Sequence, residues 1–208
     1  LLARNRLQLR KSSILVDDMA DCVLGLDPGF RNFGYAVLRA AQEGRYVVTA
    51  MGVVRTAKRK GANVAHDNVR RGKEIAQAME CLMLGARPGV YVTGRKLEAL
   101  FAEPVQAIHA ESMSHPRSAS AAAKVTLVWG ILIANSVRRN VPLLHMSPQA
   151  VKKKVVGTID ASKEHVERVM VRKYGRQIRR LLDGVPRSLH EHAYDALAAA
   201  TACLGRAE

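Results

Sequence analysis

The sequence predicts an α/β fold: a mixed five-stranded sheet, in which an antiparallel meander is joined by parallel strands, with helices flanking it. Three observations point there. Three short apolar or alternating runs follow one another over residues 22–54 with only tight turns between them, the pattern of a meander. Two further strand-like runs, Val105 to Glu111 and Pro142 to Met146, come later and are separated by segments of helical period. Finally, 208 residues of which 48% are hydrophobic are enough for one good core, so a single domain is expected.

Residues 1–20 are basic at the start (Arg4, Arg6, Arg10, Lys11) and show no core pattern. They read as a basic arm or tail ahead of one domain over residues 21–208. A nucleic-acid-binding arm, a targeting segment and sequence upstream of a start at Met19 are all compatible with them. Cys22 to Asp27 is a short apolar run closed by Pro28-Gly29, which predicts a buried strand ending in a tight turn. Phe30 to Leu38 re-enters as a second strand, and Tyr46 to Val54 makes a third. Asp27 therefore sits on the last residue of a core strand, where a carboxylate has no packing role. Capping of the turn is the other reading of that residue.

Arg55 to Gly61 is a basic loop leaving the end of the third strand. Val69, Ile75, Met79 and Leu82 recur at helical spacing within residues 64–84, and Ala86-Arg87-Pro88-Gly89 ends that helix. Residues 90–103 read as a turn and a further helix. Val105 to Glu111 is an apolar strand whose last residue is again a carboxylate. Ser118 to Arg139 is a long helix, apolar nearly all round between Val125 and Ile133, so burial is expected, either inside the fold or in a dimer interface. Pro148 opens a helix carrying Lys152, Lys153 and Lys154, and a second helix runs from Lys163 to Tyr174. Arg176 to Leu182 is strongly basic. The last helix, from about Ser188 to Leu204, has one apolar face (Leu189, Ala193, Ala196, Leu197, Ala200, Leu204). Glu191, His192 and Asp195 fall together on its flank, above small residues that allow a close approach to the sheet.

Lys and Arg number 33 against 18 Asp and Glu, a net charge of +15 that points to a polyanionic partner, most often nucleic acid. Cys22, Cys81 and Cys203 are odd in number and far apart, which fits a reducing compartment without a disulfide framework. The longest apolar run, Val125 to Ala134, is too short to cross a bilayer and no secretory signal is visible, so no membrane association and a cytoplasmic location are expected, an organelle being the alternative.

Two strand-end carboxylates and a helix-borne acidic cluster on a basic domain suit a divalent-metal nuclease. Hard oxygen ligands hold Mg²⁺, and two such ions can activate a water and stabilise a leaving oxygen in phosphoryl displacement. His192 and Asp195 are spaced i, i+3, so both can aim at one point. The order strand-Asp, strand-Glu, helix-Asp is far more specific than any one member.

With those residues in place, the chain resembles the RuvC family of Holliday junction resolvases, in the ribonuclease H-like superfamily. Leu24-Gly25-Leu26-Asp27-Pro28-Gly29 with Gly34-Tyr35, Ala110-Glu111, Val151-Lys152, Val155-Val156-Gly157, Ala161-Ser162-Lys163 and Tyr194-Asp195-Ala196-Leu197-Ala198 carry the resemblance. It implies a ribonuclease H-like fold, two Mg²⁺ ions per site held by Asp27, Glu111, His192 and Asp195, and Lys152 and Lys163 near the scissile phosphate. It further implies a homodimer that nicks four-way junctions in pairs, leaving 5′-phosphate and 3′-hydroxyl ends. Lys153, Lys154, Arg31 and Arg117 are the accompanying DNA contacts.

The chain departs from the family at two places. His192 stands where Asp is common, a softer ligand that should tolerate Mn²⁺, and Glu191 could supply a carboxylate instead. Ser114 stands where relatives often carry an aromatic wedge, as in a phage-type variant acting on several branched structures. A nuclease for RNA–DNA hybrids or flaps is the alternative, and a non-catalytic junction binder is the other class, opposed by the retained Asp27, Glu111 and Asp195. The Asp27-Pro28-Gly29 turn also resembles the phosphate loop of actin-like ATPases, but those need two domains that 208 residues do not supply.

Overall fold

The computed structural model describes residues 20–85, 104–112 and 118–204. The basic arm, the helix expected over 90–103, Ser114 and Arg117 lie outside the described residues. The strands are β1 (Cys22–Pro28), β2 (Asn32–Ala40), β3 (Tyr46–Arg55), β4 (Ala107–Glu111) and β5 (Leu143–Met146). They form one sheet in the order β3-β2-β1-β4-β5. The first three pair antiparallel, while β1 with β4 and β4 with β5 pair parallel, so the expected mixed sheet is present. This topology puts the ends of β1, β3, β4 and β5 and the start of β2 on one edge of the sheet.

Alternation along β1 divides its side chains between two cores. Leu24 and Leu26 point to the layer of α1 (Val64–Met83) and α2 (Ala119–Arg139). Val23 points to the opposite layer, built from α3 (Pro148–Val156), α4 (Lys163–Tyr174) and α5 (His190–Leu204), and Gly25 and Asp27 share that side by the same alternation. Gly25 and Gly34 explain how α5 comes so close. A Cβ on Gly25 would lie 2.3 Å from the Ala196 carbonyl oxygen, and one on Gly34 only 2.1 Å from that of His192. The helix backbone thus rests directly on β1 and β2.

One expectation is corrected. The last helix starts at His190, after a 3₁₀ turn over Arg187–Leu189. It has no single apolar face, because Ala193 to Ala200 are all buried between the sheet and the α3–α4 layer. Conversely, α2 is buried on one side only, through Val128, Leu132 and Asn135, while Leu127, Ile133 and Val137 are exposed. By length and composition α2 as a whole is apolar enough to cross a bilayer, although the apolar run from Val125 to Ala134 within it is too short to do so. Here it packs on α1 and beneath β1 and β5.

Candidate active site

The sheet edge delivers Asp27 from β1 and Glu111 from β4, neighbouring parallel strands whose register pairs Leu26 with Ala110 one residue earlier. From above, α5 contributes His192 and Asp195, held at the strands by the glycine contacts. Asp195 is buried although charged, with only 8% of its surface exposed. Ser162 caps α4 by accepting from the His165 amide at 3.2 Å, which places Lys163 in the first turn, and its ammonium forms an ion pair with Asp195. Glu111, Lys152, Lys163 and Asp195 line one small pocket of about 120 Å³, floored by Val151, Val155, Val166 and Ala198.

His192 is fixed at both ring nitrogens. Asn32 donates through Nδ2 to its Nε2 at 3.0 Å, which leaves the proton on Nδ1, facing Asp27 Oδ2 at 2.7 Å. Asn32 Oδ1 is buried and has no partner among the described residues, an unusual state for a buried amide oxygen.

The charges show what the arrangement lacks. Burial, then the fields of Asp27 and Asp195, push the Glu111 carboxyl up to about 7, against the opposing pull of Lys163 and Lys152. Burial also raises Asp195, with Lys163 opposing. The bond to Asp27 holds the His192 imidazole above its ordinary value. Burial works to lower the Lys163 ammonium, but Asp195, Glu111 and Asp27 together outweigh it and raise it. Each acid is thus answered by a proton or an ammonium: Asp27 by His192, Asp195 by Lys163, and Glu111 by its own proton near neutrality.

A divalent cation suits this donor set of hard carboxylates and one imidazole, and it would replace those cationic partners. His192 would serve as a ligand through Nδ1 with its proton on Nε2, and the unsatisfied Asn32 Oδ1, with the amide turned over, would be the acceptor for that proton. Among the described residues, no three His, Cys, Asp or Glu side chains are already gathered closely enough to hold an ion.

Of the residues expected from sequence, Asp27, Glu111, His192, Asp195, Lys163 and Lys152 come together here. Lys153 and Lys154 are exposed on the last turn of α3, and Glu191 is exposed while His192 turns inward. Arg31 is exposed beside Asn32, away from the Lys152 pocket. Asn32 was not foreseen, since nothing in the sequence links it to a histidine 160 residues away.

The family model described as crossover junction endodeoxyribonuclease RuvC matches residues 23–203. The chain belongs to the RuvC family. The RuvC of Pelodictyon phaeoclathratiforme is 32% identical over 152 residues, covering 72% of this chain and 66% of that protein. The Chlorobaculum parvum RuvC is 27% identical over 153 residues, covering 74% and 69%. The chain therefore spans about two thirds of the length of these relatives. The fold resembles that of Thermus thermophilus RuvC, with a TM-score of 0.59 at 22% identity over 87% of this chain and 92% of that one. The same enzyme in complex with Holliday junction substrate gives 0.57 at 19% identity, covering 87% and 91%. The architecture is the ribonuclease H-like one that the motifs implied.

Proposed function

We propose that this chain is a metal-dependent, structure-selective endonuclease that nicks branched DNA and resolves four-way junctions by paired phosphodiester hydrolysis, leaving 5′-phosphate and 3′-hydroxyl ends. The observation that carries this reading is the meeting of Asp27, Glu111, His192 and Asp195 on one sheet edge of a chain with a net charge of +15. The RuvC relatives and the junction-bound neighbour support the choice of substrate.

Asp27, Glu111, His192 and Asp195 would hold Mg²⁺, or Mn²⁺ given the imidazole. Bound there, the metal supplies a nucleophile at neutral pH and Lewis-acid stabilisation of the oxygens in an in-line displacement. The chain's own groups do the rest. Lys163, paired with Asp195 at the pocket, would direct a positive charge at the phosphate, a contribution of about 10²-fold or more for a well-placed donor. Lys152, on the same pocket wall, orients the backbone, and Lys153 and Lys154 add long-range attraction. The apolar floor under the carboxylates limits water around the developing charge and so strengthens these interactions.

Paired nicking of a symmetric junction calls for a two-fold dimer. The outer side of α2 supplies a surface for it. Ala123, Leu127, Gly130, Ala134 and Val137 recur at helical spacing with Ile133 beside them, all exposed, and a Cβ on Gly130 would meet no other element among the described residues within 4 Å.

The test is Mg²⁺-dependent cleavage of labelled four-way junction, RNA–DNA hybrid and plain duplex side by side. Asp27→Asn and Asp195→Asn should abolish junction cleavage while leaving junction binding intact or tighter, because each removes a negative charge facing phosphates. Cleavage by both variants at the parent rate would refute the assignment.

A further inference from the structure

A second basic hollow opens on the same sheet edge, one to two strands away from Asp27. Its volume is about 190 Å³ and its walls are Arg31, Asn32, Arg55, Pro186, Ser188 and Leu189. The register explains why the walls meet. Asn32 is the β2 partner of Arg55 on β3, so both side chains lie on the α5 side of the sheet, under the turn that leads into α5. No carboxylate lines the hollow. Neither the Arg31 nor the Arg55 guanidinium has a hydrogen-bond or ion-pair partner among the described residues.

The backbone beneath these two arginines is held unusually well for a sheet edge. Thr56 donates its amide to the Arg31 carbonyl at 2.9 Å and its hydroxyl to the Phe30 carbonyl at 2.6 Å. Arg71 of α1 closes the arrangement. It is buried, donates through Nε to Thr56 Oγ1 at 3.0 Å, and lies 4.3 Å over the Phe30 ring. One buried guanidinium therefore ties down residues 30 and 56, the immediate neighbours of the two exposed ones. Its own charge adds to theirs, and Arg31 is near enough to repel it. Two forked donors on a fixed base, with a hydroxyl opposite and no acid among them, are built for an oxyanion.

We propose that this hollow binds a non-scissile phosphate of the DNA backbone and so sets which phosphodiester reaches the carboxylates. The proposal rests on the nuclease reading above and assigns a separate contact within it. The distance fits: strands lie about 4.8 Å apart, so the hollow, walled by β2 and β3, is about 5–10 Å from Asp27 across the sheet. At roughly 3.4 Å of rise per nucleotide, that is within about three nucleotides of the cut. Asn32 lines the hollow and also bonds His192, so a phosphate seated there adjoins the catalytic imidazole through a single side chain.

The experiment uses the full chain in metal-free buffer, where no cutting occurs, and a synthetic four-way junction whose phosphates are replaced one at a time by neutral methylphosphonates. For the parent protein, one position within three nucleotides of the cut, other than the scissile one, should weaken binding several-fold when neutralised. In Arg31→Ala and Arg55→Ala that same replacement should cost nothing, while sensitivity elsewhere is kept. The double variant should lower the salt slope of binding by about one, for the single phosphate lost. An unchanged phosphate profile in both variants, with junction binding intact, would overturn this site alone. Failure of the parent to bind the junction would overturn both the site and the nuclease reading.

Discussion

His192 stands where the resemblance leads one to expect aspartate, and its surroundings favour it over Glu191 as a ligand in the proposed metal site. Glu191 is exposed, whereas His192 bridges Asp27 and Asn32. His192→Ala should therefore weaken Mn²⁺ binding, read by calorimetry, by roughly 10–100-fold, as should Asn32→Leu through loss of the outer acceptor. Glu191→Gln should change it little, and the reverse order would exchange the two assignments. Glu111 makes a second test. Its carboxyl is held at about 7 against an ordinary 4.5, so the folded state binds that proton more tightly than the unfolded chain. The resulting stability is fully present below about 4.5 and is lost as pH rises through 7, a change on the order of 3 kcal/mol. Asp195 and His192 are raised as well and act in the same sense. Thermal melts of metal-free protein should therefore fall from pH 5.5 to 8, Mg²⁺ should restore the loss at high pH, and Glu111→Gln should flatten the slope. A metal-free melting temperature that rises over this range would contradict the charge balance described.

At the scale of elements, the contact between α5 and the sheet decides whether those residues meet at all. The Gly34 position leaves no room for a methyl group, and the nearest atoms are helix backbone, which cannot rotate away. Gly34→Ala should push α5 off β2, costing about 1–3 kcal/mol or more in stability, and should lower metal affinity because the shifted atoms belong to His192 itself. A stable variant with parent affinity would mean that α5 is not positioned by this contact. Much of this was legible beforehand. Strand-end carboxylates at Asp27 and Glu111 follow from short apolar runs closed by an acid, and all five strands lie where the apolar and alternating runs put them. The burial of α5 departs from its single apolar face for a physical reason. Periodicity reports which residues are apolar, not how many layers surround a helix, so alanine-rich α5 could not be seen as central, nor could the fold interior and a partner be told apart for α2. Asn32 and the Arg71 brace depend on contacts 15 to 160 residues apart, and no local pattern encodes them.

For the whole molecule, the distribution of apolar surface bears on assembly. The α1–α2 layer ends in an uncovered stripe, while the acids lie at the sheet edge and the basic helices pack on the other face. A dimer made through the α2 stripes would leave both active edges free for DNA, and small residues at Ala123, Gly130 and Ala134 would let the two helices approach closely. Without a partner, Ile133 and Val137 stay 51% and 75% exposed, a cost that association removes. Ile133→Glu with Val137→Lys should therefore convert a dimer into a folded monomer, seen by sedimentation with an unchanged circular dichroism spectrum. That monomer should still nick one strand of a junction but lose the coordinated second cut, so nicked intermediates accumulate. If the parent sediments as a monomer both free and bound to junction, paired hydrolysis through this interface is excluded.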